Sequence, residues 1–408
     1  MAYPTAIGCG CLLGAGGMSH LLAAEWSAQP IISVLADYDS DRNLSPVGTS
    51  GSEETVLATD LRLQRAIENT QIVIEPRFDV RRYSASIWGP GNDRSLTTSF
   101  NYVGPRSKFS LSASIADQTT LTTEVFETGI ISGSTRRRTP QASAEWDWSQ
   151  NEKRQTFLQA SYLGASYSGT PLTELELPGY HYTSGAVGER FFLSERWTVS
   201  ASAFGDVLTS ARQGGSSHEE GAQAEVGYQY SERTLLDLAV GESERTLSSP
   251  SSPSTSSPGS ETSLSHQTNS GTNISFSAVQ TLERGSTSLA YVRSLVPYGT
   301  GFLVQRQQIT AGLTRPITPT LDFNISLLRI QNNAATVRLG LDRPYYNNAQ
   351  FGLNWKMGES WTLQPAFTAS SSRPSPPATA PTDTEPSVFQ WRAAVSLIWQ
   401  PLPAAKSR

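Results

Sequence analysis

The chain is poor in charge, cysteine and histidine, and each shortage removes a class of answers. Of its 408 residues only 16% are charged and the formal net charge is -5, so no basic nucleic-acid-binding surface and no acidic tail stands out. The only two cysteines, Cys9 and Cys11, lie within the first two dozen residues, which leaves the rest without a disulfide framework. The four histidines, His20, His181, His218 and His266, are scattered, and none has metal-ligand spacing. The run His218-Glu219-Glu220 is not HExxH and reads as an exposed loop. GxSxG, GxGxxG and P-loop patterns are missing as well. No catalytic residue, metal or cofactor is therefore expected, and the chain does not read as an enzyme. Beyond the N-terminus no run of about 18 apolar residues occurs, which excludes a membrane-spanning helix. With 37% hydrophobic residues there is also little material for one large soluble core.

The opening MAYPTAIGCGCLLGAGGMSHLLAA is uncharged, small and apolar, and reads as a secretory signal over residues 1–24. Ala6 and Gly8 stand where a lipoprotein box would carry an aliphatic residue, so no lipid anchor is expected. A mature chain without cysteine suits passage through an oxidising periplasm.

From Trp26 onward, apolar and polar residues alternate with period 2, the signature of a strand with two different faces. Leu57, Thr59, Leu61 and Leu63 oppose Asp60, Arg62 and Gln64; Ile72, Ile74, Pro76, Phe78 and Val80 oppose Glu75, Arg77, Asp79 and Arg81. The last such run sets Phe389, Trp391, Ala393, Val395, Leu397 and Trp399 against Gln390, Arg392, Ser396 and Gln400. About 18 strands of ~9–14 residues result, joined alternately by tight turns and long connections. The tight turns fall at 68–70, 104–107, 149–153, 194–196, 231–233, 283–286, 315–319 and 356–360, and two of them repeat the triplet Ser-Glu-Arg. Long connections are expected near 40–54, 84–93, 117–139, 165–179, 209–219, 245–270, 331–347 and 372–386, with a shorter one at 296–300. A sandwich has no reason to alternate short with long, whereas a membrane barrel does, because its two rims differ. The expected fold is thus all-β: a transmembrane antiparallel up-and-down barrel over residues 25–402, with short periplasmic turns, long extracellular loops and a C-terminal tail at 403–408. The Ser/Thr/Pro-rich stretches 247–271 and 371–385 are expected to be mobile surface loops.

Tryptophan placement agrees with a membrane. Trp26, Trp148, Trp197, Trp355, Trp361 and Trp399 each sit at or near an expected turn or terminus, where indole would form an interfacial girdle. Trp399 would also supply the terminal aromatic of the last strand. A barrel of this strand number leaves a wet lumen. Its lining candidates are Asp60, Arg62, Glu75, Arg77, Asp79, Arg81, Glu145, Asp147, Glu225, Gln229, Asp237, Asp322, Asn324, Gln364 and Arg392. Such charges also stabilise a wall simply by cross-strand pairing, and Glu75, Arg77, Asp79 and Arg81 have the spacing for a ladder. The mixture of both signs with Gln, Asn and Ser suits a hydrated polar solute such as a sugar chain.

The stretch WSAQPIISVLADYDSDRNLSP resembles the opening of a family of outer-membrane β-barrel porins associated with exopolysaccharide gene clusters. Trp26, Pro30, Tyr38, Asp39, Asn43, Leu44, Ser45 and Pro46 are the matching positions, while the intervening Ser-Asp-Arg departs from the usual Asp-Asn pair. The resemblance implies a conduit for polysaccharide in the Gram-negative outer membrane, in contact with outer-membrane lipids and with periplasmic export machinery as a partner. A structural or adhesive surface barrel with a plugged lumen, an outer-membrane hydrolase using His181, and a secreted soluble β-protein are the other expectations that the pattern permits.

Overall fold

The structure is a computed structural model that describes residues 26–42, 51–84, 91–120, 135–168, 179–210, 216–250, 264–297, 303–333, 345–373 and 387–401. The signal at 1–24, the tail at 403–408 and the centres of both Ser/Pro-rich loops lie outside the described residues. The first six strands are β1 (Trp26–Asp39), β2 (Ser52–Ile67), β3 (Thr70–Tyr83), β4 (Gly91–Val103), β5 (Ser107–Thr119) and β6 (Arg136–Asn151). Next come β7 (Arg154–Ser168), β8 (Tyr180–Phe192), β9 (Trp197–Ser210), β10 (Ser216–Ser231), β11 (Thr234–Pro250) and β12 (Leu264–Thr281). The last six are β13 (Ser286–Pro297), β14 (Leu303–Thr318), β15 (Leu321–Asn333), β16 (Tyr345–Lys356), β17 (Trp361–Arg373) and β18 (Val388–Trp399).

Each strand pairs antiparallel with its neighbours in sequence, and β18 pairs back onto β1 from Ile32↔Trp399 to Asp39↔Arg392. The sheet is therefore a closed 18-stranded barrel. Because side chains alternate across a strand, the register divides the wall into two faces. One carries Ile32, Val34, Leu57, Phe78, Leu96, Leu158, Val187, Leu238, Leu327 and Val395, all solvent-exposed. The other carries Asp37, Glu54, Asp79, Asp93, Ser184, Asp206, Glu219 and Asn273, all buried. A soluble barrel would have the reverse arrangement. An apolar exterior around a polar interior is stable only where the surrounding solvent is lipid.

The eight short connections fall at one rim. Two of them need glycine: Gly285 (φ 108°) and Gly358 (φ 138°) lie in a region that L side chains rarely adopt. At the opposite rim the strands are longer than the alternation suggests, up to 18 residues in β12. β5 and β6 reach into the expected loop at 117–139, and β11 and β12 reach into the one at 247–271. Past the lipid a strand needs only its ladder of hydrogen bonds, so these ends carry no apolar alternation to reveal them.

The wall is not cylindrical throughout. At the open end of the β13–β14 hairpin the alternation fails, since Val296 and Pro297 are both buried, as are Leu303 and Val304. Leu303 is 1% exposed and clusters with Ala165, Tyr180, Tyr182 and Leu208 on β7, β8 and β9. These described ends of the hairpin lean in from the wall, and Leu303 on β14 reaches strands five to seven places away around the barrel.

If the exposed apolar face meets lipid, Val240→Lys on the outside of β11 should destabilise the barrel by roughly 2–4 kcal/mol. Gln223→Lys, which faces the lumen from β10, should cost far less. Urea titration of vesicle-embedded protein, followed by tryptophan fluorescence, gives both values, and equal costs would contradict the assignment of faces.

Candidate lumen site

Charge on the inner wall is concentrated on β18 and β1 to β4. Arg42, just past β1, donates from Nη1 to Glu54 (2.7 Å), from Nη2 to Asp37 (3.0 Å) and from Nε to the Ser52 hydroxyl (2.9 Å). Arg81 donates to Glu54 (2.8 Å), Asp93 (2.9 Å) and Asp79 (3.2 Å). Arg77 continues the ladder to Asp79 (2.9 Å) and Asp60 (3.6 Å). From the other side Arg392 donates to Asp37 (2.6 Å), and Gln390 donates to Asp39 (2.6 Å). The network thus crosses the seam where the first and last strands meet. Burial disfavours the Arg42 cation, yet Glu54 and Asp37 outweigh it and hold the guanidinium above its ordinary pKa.

All fifteen residues that the alternation nominates for the lumen fall on this inner face by register. Only some are brought together. Asp60, Arg77, Asp79, Arg81 and Arg392 join the ladder, whereas Glu75 pairs with Arg62 (3.4 Å) in a separate, half-exposed bridge. Glu145 accepts a hydrogen bond from Gln159 (3.3 Å), and Asp147 stands opposite Lys108. Glu225, Gln229 and Asp237 line a cavity of about 300 Å³ near the short-turn rim, with Arg190 and the Glu195-Arg196 pair of the first Ser-Glu-Arg turn. There Glu225 accepts from Ser200 (3.1 Å) and Asp237 from Ser277 (3.1 Å). Asp322 is 3.9 Å from Lys356, Asn324 lies against Gly352, and Gln364 stands opposite Ser396.

Trp26, Trp148, Trp197, Trp355 and Trp361 project outward and are exposed, and Trp399, also on the outer face, is half-buried between β17 and β1. Trp146 stacks beside Trp148 one step further along β6. Trp391 contacts Tyr38 at the other rim (5.2 Å between rings), so outward aromatics occur at both ends of the barrel. His181 also faces outward, with Nδ1 2.8 Å from the Tyr162 hydroxyl, away from the lumen. His218 and Glu220 form an exposed pair at 3.6 Å. These two belong to β10, not to the loop that the run His-Glu-Glu suggests.

Two groups escape the sequence reading. Arg42, Glu54 and Asp93 fall at or inside stretches expected as loops, although Ser52-Glu54-Val56-Ala58 keeps the period of the strand that follows, and Asp37 lies in the first expected strand without being among the lining candidates. The second group is uncharged. Ser99, Ser112, Ser143, Ser161 and Ser184 stand opposite one another in sequence across β4 to β8, forming one in-register row. Ser112 and Ser143 are 2.7 Å apart, and Ser161 and Ser184 2.6 Å. The row continues into Asp206 on β9 and Glu219 on β10. Beside it Phe157 lies over Gly188 and Phe204 over Gly221, so neither ring projects into the lumen, and a Cβ at either glycine would meet the ring.

A closed, even-stranded antiparallel barrel with this exterior and this lumen is an outer-membrane β-barrel. No protein-family model and no curated protein matches the chain. Among solved structures it is similar to the FrpB iron transporter from Neisseria meningitidis, at 10% identity and TM-score 0.49, covering 93% of this chain and 70% of that one. A siderophore receptor of Acinetobacter baumannii, PiuA, matches at 7% identity and TM-score 0.44, covering 91% and 82%. The outer-membrane channel DcaP of the same organism matches at 11% identity and TM-score 0.40, covering 94% and 99%.

Glu54 is 2% exposed and holds two guanidinium groups, so Glu54→Ala should cost roughly 3–5 kcal/mol by leaving Arg42 and Arg81 buried without their shared partner. Glu53→Ala, on the outer face, should be close to neutral. The temperature at which the folded gel band converts to the unfolded one reads the difference, and equal shifts would remove the ladder's structural role.

Proposed function

We propose that the protein is a passive channel of the Gram-negative outer membrane through which an exopolysaccharide leaves the cell, delivered from periplasmic export machinery. One observation carries this reading. Outside the β18–β4 quarter, much of the inner wall offers hydroxyl and amide groups in place of charge. Across β13 to β17, between Arg306 at one end and Asp322 with Lys356 at the other, it presents residues such as Gln308, Thr310, Ser326, Asn348, Gln350 and Thr368. A wall of this kind keeps water and a polyhydroxylated chain in exchangeable hydrogen bonds without trapping ions. The opening stretch around Trp26, Pro30, Tyr38 and Asp39, with its resemblance to exopolysaccharide-associated porins, supports the same solute.

A plugged structural or adhesive barrel is the second reading, and the Leu303 contact across the lumen favours it. Conductance separates the two. Purified protein in a planar bilayer should conduct ions, and deletion of residues 251–263 should leave that current unchanged or raise it. A barrel that stays silent at every voltage, before and after this deletion, would sink the channel. A deletion strain should lose surface polysaccharide and accumulate it in the periplasm; normal export would reject the polysaccharide while leaving a general channel standing.

A further inference from the structure

On the outer face, β3 to β6 all change character near one height. Val80, Leu96, Ile115 and Pro140 close the apolar belt, and the next outward positions toward the long-loop rim are Arg82, Arg94, Asp117 and Arg138, with Arg136 one step beyond. Arg94, Asp117 and Arg138 stand opposite one another in register. Asp117 accepts from Arg94 Nε (3.2 Å) and Nη2 (2.9 Å) on one oxygen and from Arg136 Nε (2.8 Å) on the other. Arg82, Arg94 and Arg138 are exposed, and Arg138 has no ionic or hydrogen-bond partner among the described residues. We propose that this patch binds the phosphate of glycolipid headgroups in the cell-surface leaflet, whatever solute the lumen passes.

Depth is the first argument. The short turns mark the periplasmic rim, so side chains that leave the far edge of the apolar belt meet the headgroups of the outer leaflet. Charge is the second: four guanidinium groups face two carboxylates, Asp117 and Glu53 on β2, and the surplus is positive. The third is geometry. By holding one edge of two guanidinium groups, Asp117 orients both and leaves Nη1 of Arg94 and of Arg136 without a partner among the described residues. A planar guanidinium meets phosphate through two parallel N–H donors and sheds water more easily than an ammonium does. No lysine belongs to the patch; Lys108, Lys153 and Lys356 all sit at the short-turn rim.

Farther round the same rim the outer face has the opposite sign, since Glu220 stands directly opposite Glu244, with Glu242 and His218 beside them. That side could meet the arginines only through a second copy of the chain. Such a contact would have to displace the lipid that surrounds the barrel at this depth and would press Glu220 and Glu244 toward Asp117, whereas a phosphate reaches the free Nη1 edges alone.

Native mass spectrometry of the purified barrel in detergent, titrated with bis-phosphorylated lipid A, provides the test. The wild type should retain lipid A, and fully dephosphorylated lipid A about tenfold more weakly or less, as expected for losing charge-assisted hydrogen bonds. Arg94→Gln/Arg136→Gln/Arg138→Gln should lower retention of the phosphorylated form to that of the dephosphorylated one. Excess inorganic phosphate should not displace the lipid; displacement would make the site one for free phosphate and overturn the lipid assignment. Equal retention of both lipid A forms by the wild type, or undiminished retention by the folded triple variant, would overturn it as well. Should the triple variant lose the heat-modifiable band of a folded barrel, Arg138→Glu decides, because that side chain has no partner to lose: weakened retention keeps the site and unchanged retention removes it. A lipid-independent dimer that disappears in both Arg138→Glu and Glu220→Gln/Glu244→Gln would replace the lipid with a second copy.

Discussion

Inside a bilayer no water is available to an unpaired N–H or C=O, and everything else in this molecule follows from that constraint. A sheet with a free edge would leave a strand's worth of such groups in hydrocarbon, each costing several kcal/mol. Closure removes the edge, and here it falls to β1 and β18. Every other pairing joins strands adjacent in sequence, but this one brings together residues about 350 positions apart, as in the hydrogen bond from Gln390 to Asp39. That long-range junction is also where the charged ladder is densest. Arg392, Asp37, Arg42 and Glu54 fasten across it on the lumen side, where ions can be held without meeting lipid.

The architecture was legible because lipid and water impose opposite demands on alternate residues of one strand. Leu57 and Leu61 against Asp60 and Arg62 could satisfy both solvents in only one way, and the same holds for Phe78 against Arg77 and Asp79. Short turns were equally readable, since a chain that must re-enter the membrane within two or three residues uses Ser-Glu-Arg, Glu-Arg-Gly or Met-Gly-Glu. The repeated Ser-Glu-Arg is therefore turn chemistry, and in its first copy Glu195 and Arg196 also border the lumen's short-turn mouth.

What was hidden has a physical reason in each case. Glu54 and Asp93 belong to strand ends that project past the lipid, where neither face needs to be apolar and the period fades. The serine row is invisible in any one strand, because Ser112 or Ser161 alone is ordinary polar filler on an inward position. It exists only through the register of five strands, which depends on turn lengths summed over some ninety residues. The inward lean of β13–β14 is likewise a tertiary event: Val296-Pro297 and Leu303-Val304 are buried apolar doublets, and the packing of Leu303 against Tyr180 and Leu208 is visible only in the fold.

The uneven placement of charge makes the two sides of the lumen unlike each other as routes. Guanidinium and carboxylate groups alternate along β18 to β4, whereas hydroxyls follow one another along the serines of β4 to β8. Two lanes share one bore.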